Sequence, residues 1–228
     1  MNRKLFYILL AIITALTSLV ASADEARFVP LNHEGKPLPT NTFLHQDEWP
    51  CVLDRRTGLT WESKSRFPGL HYYLNTYNWF DPTPTRNGGL AGEPGGRDCR
   101  NTPAEGEPQD QRAADANADT ACDTHSFVRA VNRASLCGAR DWRLPHREEL
   151  RSLVDYDIPY PGPTINMQAF PNTIAQFYWS ADTAAAETSE AWGIGFSFGF
   201  DYAYYKSNRV LVRLVRDKHA GEQETKLP

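Results

Sequence analysis

Four cysteines constrain this chain more than any other feature: Cys51, Cys99, Cys122 and Cys137, with no others in the sequence. An even number of cysteines in an exported protein reads as a disulfide framework. Three pairings are open to four cysteines. The favoured one joins Cys99 to Cys122, stapling a loop, and Cys51 to Cys137, tying a first hairpin to the end of a helix. The competing reading is a zinc site. Structural zinc needs close ligand pairs, and even the shortest interval, Cys122 to Cys137, is far too long for one.

The disulfide reading requires export, and the N-terminus carries the pattern for it. Arg3 and Lys4 precede an apolar run from Leu5 to about Val20, and Ala21-Ser22-Ala23 offers small residues where a signal peptidase cuts. Residues 1–23 are therefore read as a signal peptide and the mature chain as secreted or periplasmic. The run is marginal for a membrane span, and no later segment is apolar enough for one. Losing Arg3 and Lys4 takes the formal charge from −4 to −6, which argues against a general nucleic-acid partner.

Residues 24–48 read as an irregular lead-in. From Trp49 to Leu53 the pattern is a strand, Asp54 to Gly58 a turn, and Leu59 to Glu62 the returning strand of a hairpin. A cluster of rings follows at Tyr72, Tyr73, Tyr77, Trp79 and Phe80. Residues 81–121, rich in Gly, Pro, Asn and Asp, read as a long surface insertion pinned by Cys99 and Cys122. Asp123 or Thr124 caps a first helix carrying Phe127, Val128, Val131 and Ala134 at helical spacing, closed by Cys137-Gly138. A second helix runs from about His146 to Val154, with Glu148 and Glu149 in its first turn.

The last third is strand-rich. Phe177 to Ser180 reads as one strand. Ala191 to Phe200 alternates, with Trp192, Ile194, Phe196, Phe198 and Phe200 on one face and Gly193, Gly195, Ser197 and Gly199 on the other. Residues Asp201 to Tyr205 continue it or turn back, and Val210 to Val215 forms a last strand before a polar tail, 217–228. The element order predicts an α+β domain with one mixed core.

The motifs carry a resemblance. Cys51-Val-Leu-Asp-Arg-Arg-Thr-Gly-Leu-Thr-Trp-Glu62 resembles the opening motif of the Lcl C-terminal domain family, and Cys137-Gly-Ala-Arg-Asp-Trp-Arg-Leu-Pro-His-Arg-Glu-Glu-Leu150 its central motif. Phe170-Pro-Asn-Thr173, Tyr178-Trp-Ser180 and Val212-Arg-Leu-Val-Arg216 are similar to its later blocks, in the same order, so that the resemblance spans residues 49–216. The Trp142-Arg-Leu-Pro145 and Arg213-Leu-Val-Arg216 elements also resemble formylglycine-generating domains. The resemblance implies a C-type-lectin-like domain with two helices and a twisted antiparallel sheet. Some members terminate collagen-like adhesins that bind glycosaminoglycans, but this chain has no Gly-X-Y repeat. It also departs at His146, where relatives often carry a capping Thr; His caps poorly, at a cost of about 1 kcal/mol.

Catalytic patterns fail on composition. Formylglycine-type chemistry needs cysteines late in the fold, and none follows Cys137. Gly195-Phe-Ser197-Phe-Gly199 has nucleophile-elbow spacing without the helix that must follow it. The six histidines show no metal-ligand spacing. Asp115, Asn117 and Asp119 begin like a calcium loop, yet Thr120 and Ser126 stand where an EF-hand needs Gly and Glu; a looser calcium site stays open, and no cofactor is expected. In Trp142-Arg-Leu-Pro145, the ring and Leu144 are expected in the core and Arg143 on an acid. The candidate ligand surface is the aromatic group Trp179, Tyr202, Tyr204 and Tyr205 with Asp182, Lys206, Asn208 and Arg209. The expected function is a binding domain for glycans or an envelope ligand; the alternative is a protein-interaction subunit of an envelope assembly.

Overall fold

The computed structural model describes residues 26–39, 48–96, 99 and 121–217. The signal-like segment, the Asp115–Asp119 oxygens, most of the cysteine-pinned insertion and the tail beyond 217 lie outside the described residues.

Among the described residues the fold is α+β, with two antiparallel sheets, two α-helices and two disulfides. One sheet is ordered β1 (Phe28–Leu31), β2 (Cys51–Asp54), β3 (Leu59–Glu62), β7 (Val215–Arg216). The other is ordered β4 (Phe177–Thr183), β5 (Glu190–Gly195), β6 (Phe200–Tyr205). The expected hairpin is β2–β3: Gly58, at φ +74°, donates its N–H to Asp54 O at 2.8 Å, and the Asp54 carboxylate accepts Arg56 N at 3.0 Å.

Part of the lead-in read as irregular is β1. It pairs with β2 from Phe28↔Asp54 to Leu31↔Cys51, and the Arg27 guanidinium grips both Asp54 oxygens at 3.0 and 2.7 Å. Four residues interrupted by Pro30 show no alternation to read, and an edge strand tolerates that proline.

Helix α1 (Thr124–Ala134) is capped by Asp123, whose side chain accepts Ser126 N at 2.7 Å. It ends at Ser135, in the left-handed region at φ 55°, rather than at Cys137-Gly138, which sit in a following 3₁₀ turn. Helix α2 is only Arg147–Arg151; Leu153 and Val154 belong to turns bonded three residues back.

Two expected strands are broken. The Ala191–Phe200 run reverses after Gly195: Phe196 is fully buried, Gly199 (φ +75°) donates to Gly195 O at 2.8 Å, and β6 returns along β5. The turn also swaps faces: Phe200 pairs with Gly195 and shares its side of the sheet, where unbroken alternation would set it with Ile194. The Val210–Val215 run instead joins the two sheets, Val210 bridging to Tyr77, Leu211 to Tyr178, and Val215 to Trp61.

Both favoured disulfides form, Cys51–Cys137 and Cys99–Cys122. They lie in one buried cluster with Trp79, Trp142, Trp179 and Phe127, while Trp61, Phe170, Tyr178 and Ile194 fill a second cluster between the sheets.

Candidate functional site

The sheet β4–β5–β6 sets out the candidate site because its two faces are chemically different. Side chains alternate between faces along a strand, and directly paired residues share a face. The register Gly193↔Tyr202, Gly195↔Phe200 and Ala191↔Tyr204 therefore puts Phe200, Tyr202 and Tyr204 on one face, above glycine and alanine on β5. Phe177 and Trp179 share that face through Phe177↔Gly195 and Trp179↔Gly193. Phe177 leans across β5 to meet the Tyr204 ring, with centroids 4.4 Å apart. Gly193 is required there: a Cβ would stand 2.6 Å from the Phe177 ring.

The strip extends beyond the strand. Phe198 in the β5–β6 turn lies parallel to Phe200, with centroids 6.1 Å apart and 2° between planes, and Tyr160 stacks on Phe198 at 4.4 Å. Tyr160, Phe198, Phe200, Tyr202 and Tyr204 are 66, 51, 55, 54 and 41% exposed, which makes this a contiguous aromatic surface rather than isolated rings.

The structure divides the sequence-derived site group. Tyr202 and Tyr204 belong to the strip. Tyr205 is exposed but falls on the opposite face with Asp201 and Ala203, since adjacent strand residues point oppositely. Trp179 shares the strip's face but is fully buried on it, donating its indole N–H to Tyr77 O at 2.8 Å, so it lies under covering chain rather than on the surface. Lys206 is also buried: its ammonium lies 4.2 Å from the Trp79 ring centroid and donates to Asn87 O at 3.0 Å and Leu90 O at 2.6 Å. Burial lowers its pKa to about 8, against the raising influence of Asp81. Asn208 and Arg209 are exposed just past β6, Asn208 N bonding Tyr205 O and Arg209 bonding Thr76 O at 3.2 Å.

Lys206 is thus a clasp on the 81–92 segment. Lys206→Met keeps the packing and removes the desolvated charge, so global stability should change by less than about 1 kcal/mol. The two carbonyls lose their donor, so hydrogen exchange across residues 87–92 should quicken selectively; unchanged exchange there would show that the clasp holds nothing.

Asp182 has a structural task. Its carboxylate accepts Arg147 N at 2.5 Å and lies 2.9 Å from His146 Nδ1. It supplies, from β4, the capping acceptor that His146 was expected to lack, while Glu149 closes back onto His146 N at 2.7 Å. Around it lies a cleft of about 340 Å³ lined by His146, Arg147, Glu148 and Trp192, on the sheet face opposite the strip. Its charges are matched internally: Arg147 sits 4.7 Å from the Trp192 ring centroid and 3.5 Å from Asp201. A second cleft, about 410 Å³, is lined by Arg66, Tyr72, Tyr73, Asn172 and Thr173.

The most densely charged interior is structural. Glu62, fully buried, accepts Lys64 Nζ at 2.7 Å, Leu214 N at 2.9 Å, and lies 2.8 Å from His71 Nδ1. Arg213, also fully buried, donates to Glu62 O at 2.6 Å and Thr173 Oγ1 at 2.7 Å, over the Phe170 ring at 4.8 Å. Burial alone would raise the Glu62 pKa, but Lys64 and His71 hold it down to about 2. The blocks ending at Glu62, beginning at Phe170 and containing Arg213 converge here. Trp142 is buried as expected, and Arg143 pairs with both Glu149 oxygens at 2.7 and 2.8 Å.

Sequence reading missed Tyr160, Phe198 and Phe200 as surface rings. Alternation reads Phe198 and Phe200 as one face of a single strand with Trp192, Ile194 and Phe196; the glycines at 195 and 199 are the available sign of a turn. Among the described residues, no group of three or more His, Cys, Asp or Glu is placed to hold a metal, and no helix is long and apolar enough to cross a membrane.

The family model of the Lcl C-terminal domain matches residues 50–216. No curated protein and no solved structure matches the chain.

Proposed function

The chain belongs to the Lcl C-terminal domain family, and on that premise we propose that it is an exported, non-catalytic binding domain of C-type-lectin-like fold, whose recognition surface for glycans is the aromatic strip on β6. The observation carrying this reading is the row of exposed rings Tyr160, Phe198, Phe200, Tyr202 and Tyr204 held on a rigid glycine-floored sheet. Sugars present apolar C–H faces framed by hydroxyls; ring faces complement the first, and the Tyr202 and Tyr204 hydroxyls and Asn208 offer partners to the second. Rings on a strand lose little freedom on binding, which favours affinity. Two disulfides in the core fit an oxidising compartment.

The charge around the strip argues for a neutral or weakly charged glycan. Lys206 is buried in the loop clasp, Asp201 lies on the reverse face, and Arg209 is engaged with Thr76 O. Highly sulfated chains are normally gripped by clusters of Arg and Lys. An array of neutral and sulfated glycans, probed with the oxidised chain and with Phe200→Ala/Tyr202→Ala, tests the reading. Saturable binding lost in the double variant supports it. Absence of binding sinks it and turns attention to envelope protein partners by pull-down.

A further inference from the structure

Beyond the strip's rings, β6 offers a second kind of recognition: its backbone. It is the edge of the β4–β5–β6 sheet. In an antiparallel pair, residues whose N–H and C=O face the partner alternate with residues whose groups face away. Lys206 N donates to Ser189 O at 2.8 Å, and the β5–β6 register is unbroken, so Phe200, Tyr202 and Tyr204 turn their backbone groups toward β5. Asp201, Ala203 and Tyr205 turn theirs outward. Among the described residues nothing bonds the Asp201 or Ala203 backbone on that side; the Tyr205 carbonyl accepts Asn208 N. Between Phe200 and Tyr205 there is no proline, lysine or bulge to blunt the edge, and Asp201 is the one charged residue along it.

We propose that β6 pairs antiparallel with β6 of a second copy of this chain about a two-fold axis at Ala203. The sequence of the edge selects that register. An axis at Asp201 would set two like charges side by side, which is destabilising. An axis at Tyr202 would leave Tyr205 opposite Gly199, and one at Tyr204 would leave Asp201 opposite Ser207, in each case outside the strand. An axis at Tyr205 would run past the end of the strand. At Ala203 the small side chains meet on the axis, Asp201 faces the second copy's Tyr205, and Tyr202 faces its Tyr204. All outward-facing residues of the strand then fall in bonded pairs, and the interface is self-complementary, as a two-fold requires.

The area available sets the strength. Phe200, Tyr202, Tyr204 and Tyr205 are each about half exposed, and an aromatic side chain buries about 150–250 Å². Edge pairing, which leaves part of these rings open, therefore covers at most roughly 400 Å² per copy, no more than half the usual 800 Å² of a stable complex. The dimer is accordingly concentration-dependent rather than obligate. Pairing through the edge leaves the faces of the strip open and aligns two strips on one six-stranded sheet. The dimer does not depend on what the strip binds.

The test uses the full oxidised chain without ligand. Sedimentation from micromolar to millimolar concentration should show a monomer–dimer equilibrium, weakened at least tenfold by Ala203→Pro. That proline removes only an outward N–H, leaving the β5 ladder intact. Ala203→Cys should cross-link to itself on mild oxidation, because bonded antiparallel pairs hold Cα atoms about 5.5 Å apart, within disulfide reach. Arg129→Cys, exposed on α1, provides the collisional rate, and the cysteine variant decides the matter if the proline variant misfolds. A monomer throughout, a dimer indifferent to Ala203→Pro, or Ala203→Cys linking no faster than Arg129→Cys would overturn the proposal.

Discussion

Glu62→Gln is expected to destabilise the fold by about 3–5 kcal/mol, the usual cost of breaking a buried ion pair from one side. Glutamine keeps the shape but leaves Lys64, its ammonium 2.7 Å away, and the buried Arg213 without the carboxylate that balances them. Denaturant titration should show a lower midpoint at unchanged slope. The exposed Glu34–Lys36 pair, 2.8 Å apart, is the control: Glu34→Gln should leave the midpoint where it is. The pH dependence follows the same chemistry. Glu62 titrates near 2 in the folded chain and near 4.5 when unfolded. Its stabilisation is therefore fully present above pH 4.5 and is lost as pH falls from 4.5 toward 2. Glu62→Gln should flatten that part of the stability curve. Asp54 and Glu149, whose pKa values also lie below the ordinary range despite burial, through Arg27 and Arg143 respectively, will leave a residual slope.

The second large effect is on the disulfides, and it is a ranking. Cys51–Cys137 spans 86 residues of sequence and Cys99–Cys122 spans 23. Loop-closure entropy gives about 4.5 and about 3.5 kcal/mol, growing only logarithmically with loop length. The longer bridge also fixes β2 to the turn after α1, so its loss loosens two elements packed in the same cluster. Cys51→Ala/Cys137→Ala should therefore lower the unfolding free energy by more than Cys99→Ala/Cys122→Ala. The reverse order would mean that the pinned insertion, rather than the β2–α1 tie, stabilises the native state.

Local chemistry made much of this architecture readable. Asp54 and Gly58 announce the β2–β3 turn, Asp123 announces α1, and the four cysteines pair as favoured. What sequence could not reveal was tertiary. Phe28–Leu31 becomes a strand because Arg27 and β2 receive it, not through its own pattern. Asp182 caps α2 from thirty-odd residues away, and Lys206 turns inward because Asn87 and Leu90 offer carbonyls over Trp79. The site was half legible for the same reason. Tyr202 and Tyr204 alternate visibly, but whether Trp179, on the same face, is open or covered depends on the chain packed over it at Tyr77. Phe198 and Phe200 stand on the surface, apart from buried Ile194 and Phe196, because the chain reverses between Gly195 and Gly199.

The two densest sets of functional groups thus divide between tasks. Glu62, Arg213 and Thr173 hold the sheets together from within. The rings of β6 and its turn face outward on that frame, and the proposed recognition rests on them. The most direct measurement is a titration of the chain, with its aromatic side chains ¹³C-labelled, using the glycan that binds best on the array, followed ring by ring. Shifts concentrated at Phe200, Tyr202, Tyr204 and Phe198 are the predicted result. Shifts centred instead on Trp192 beside His146, or on Tyr72 and Tyr73, would contradict the assignment and move the site to one of the two clefts.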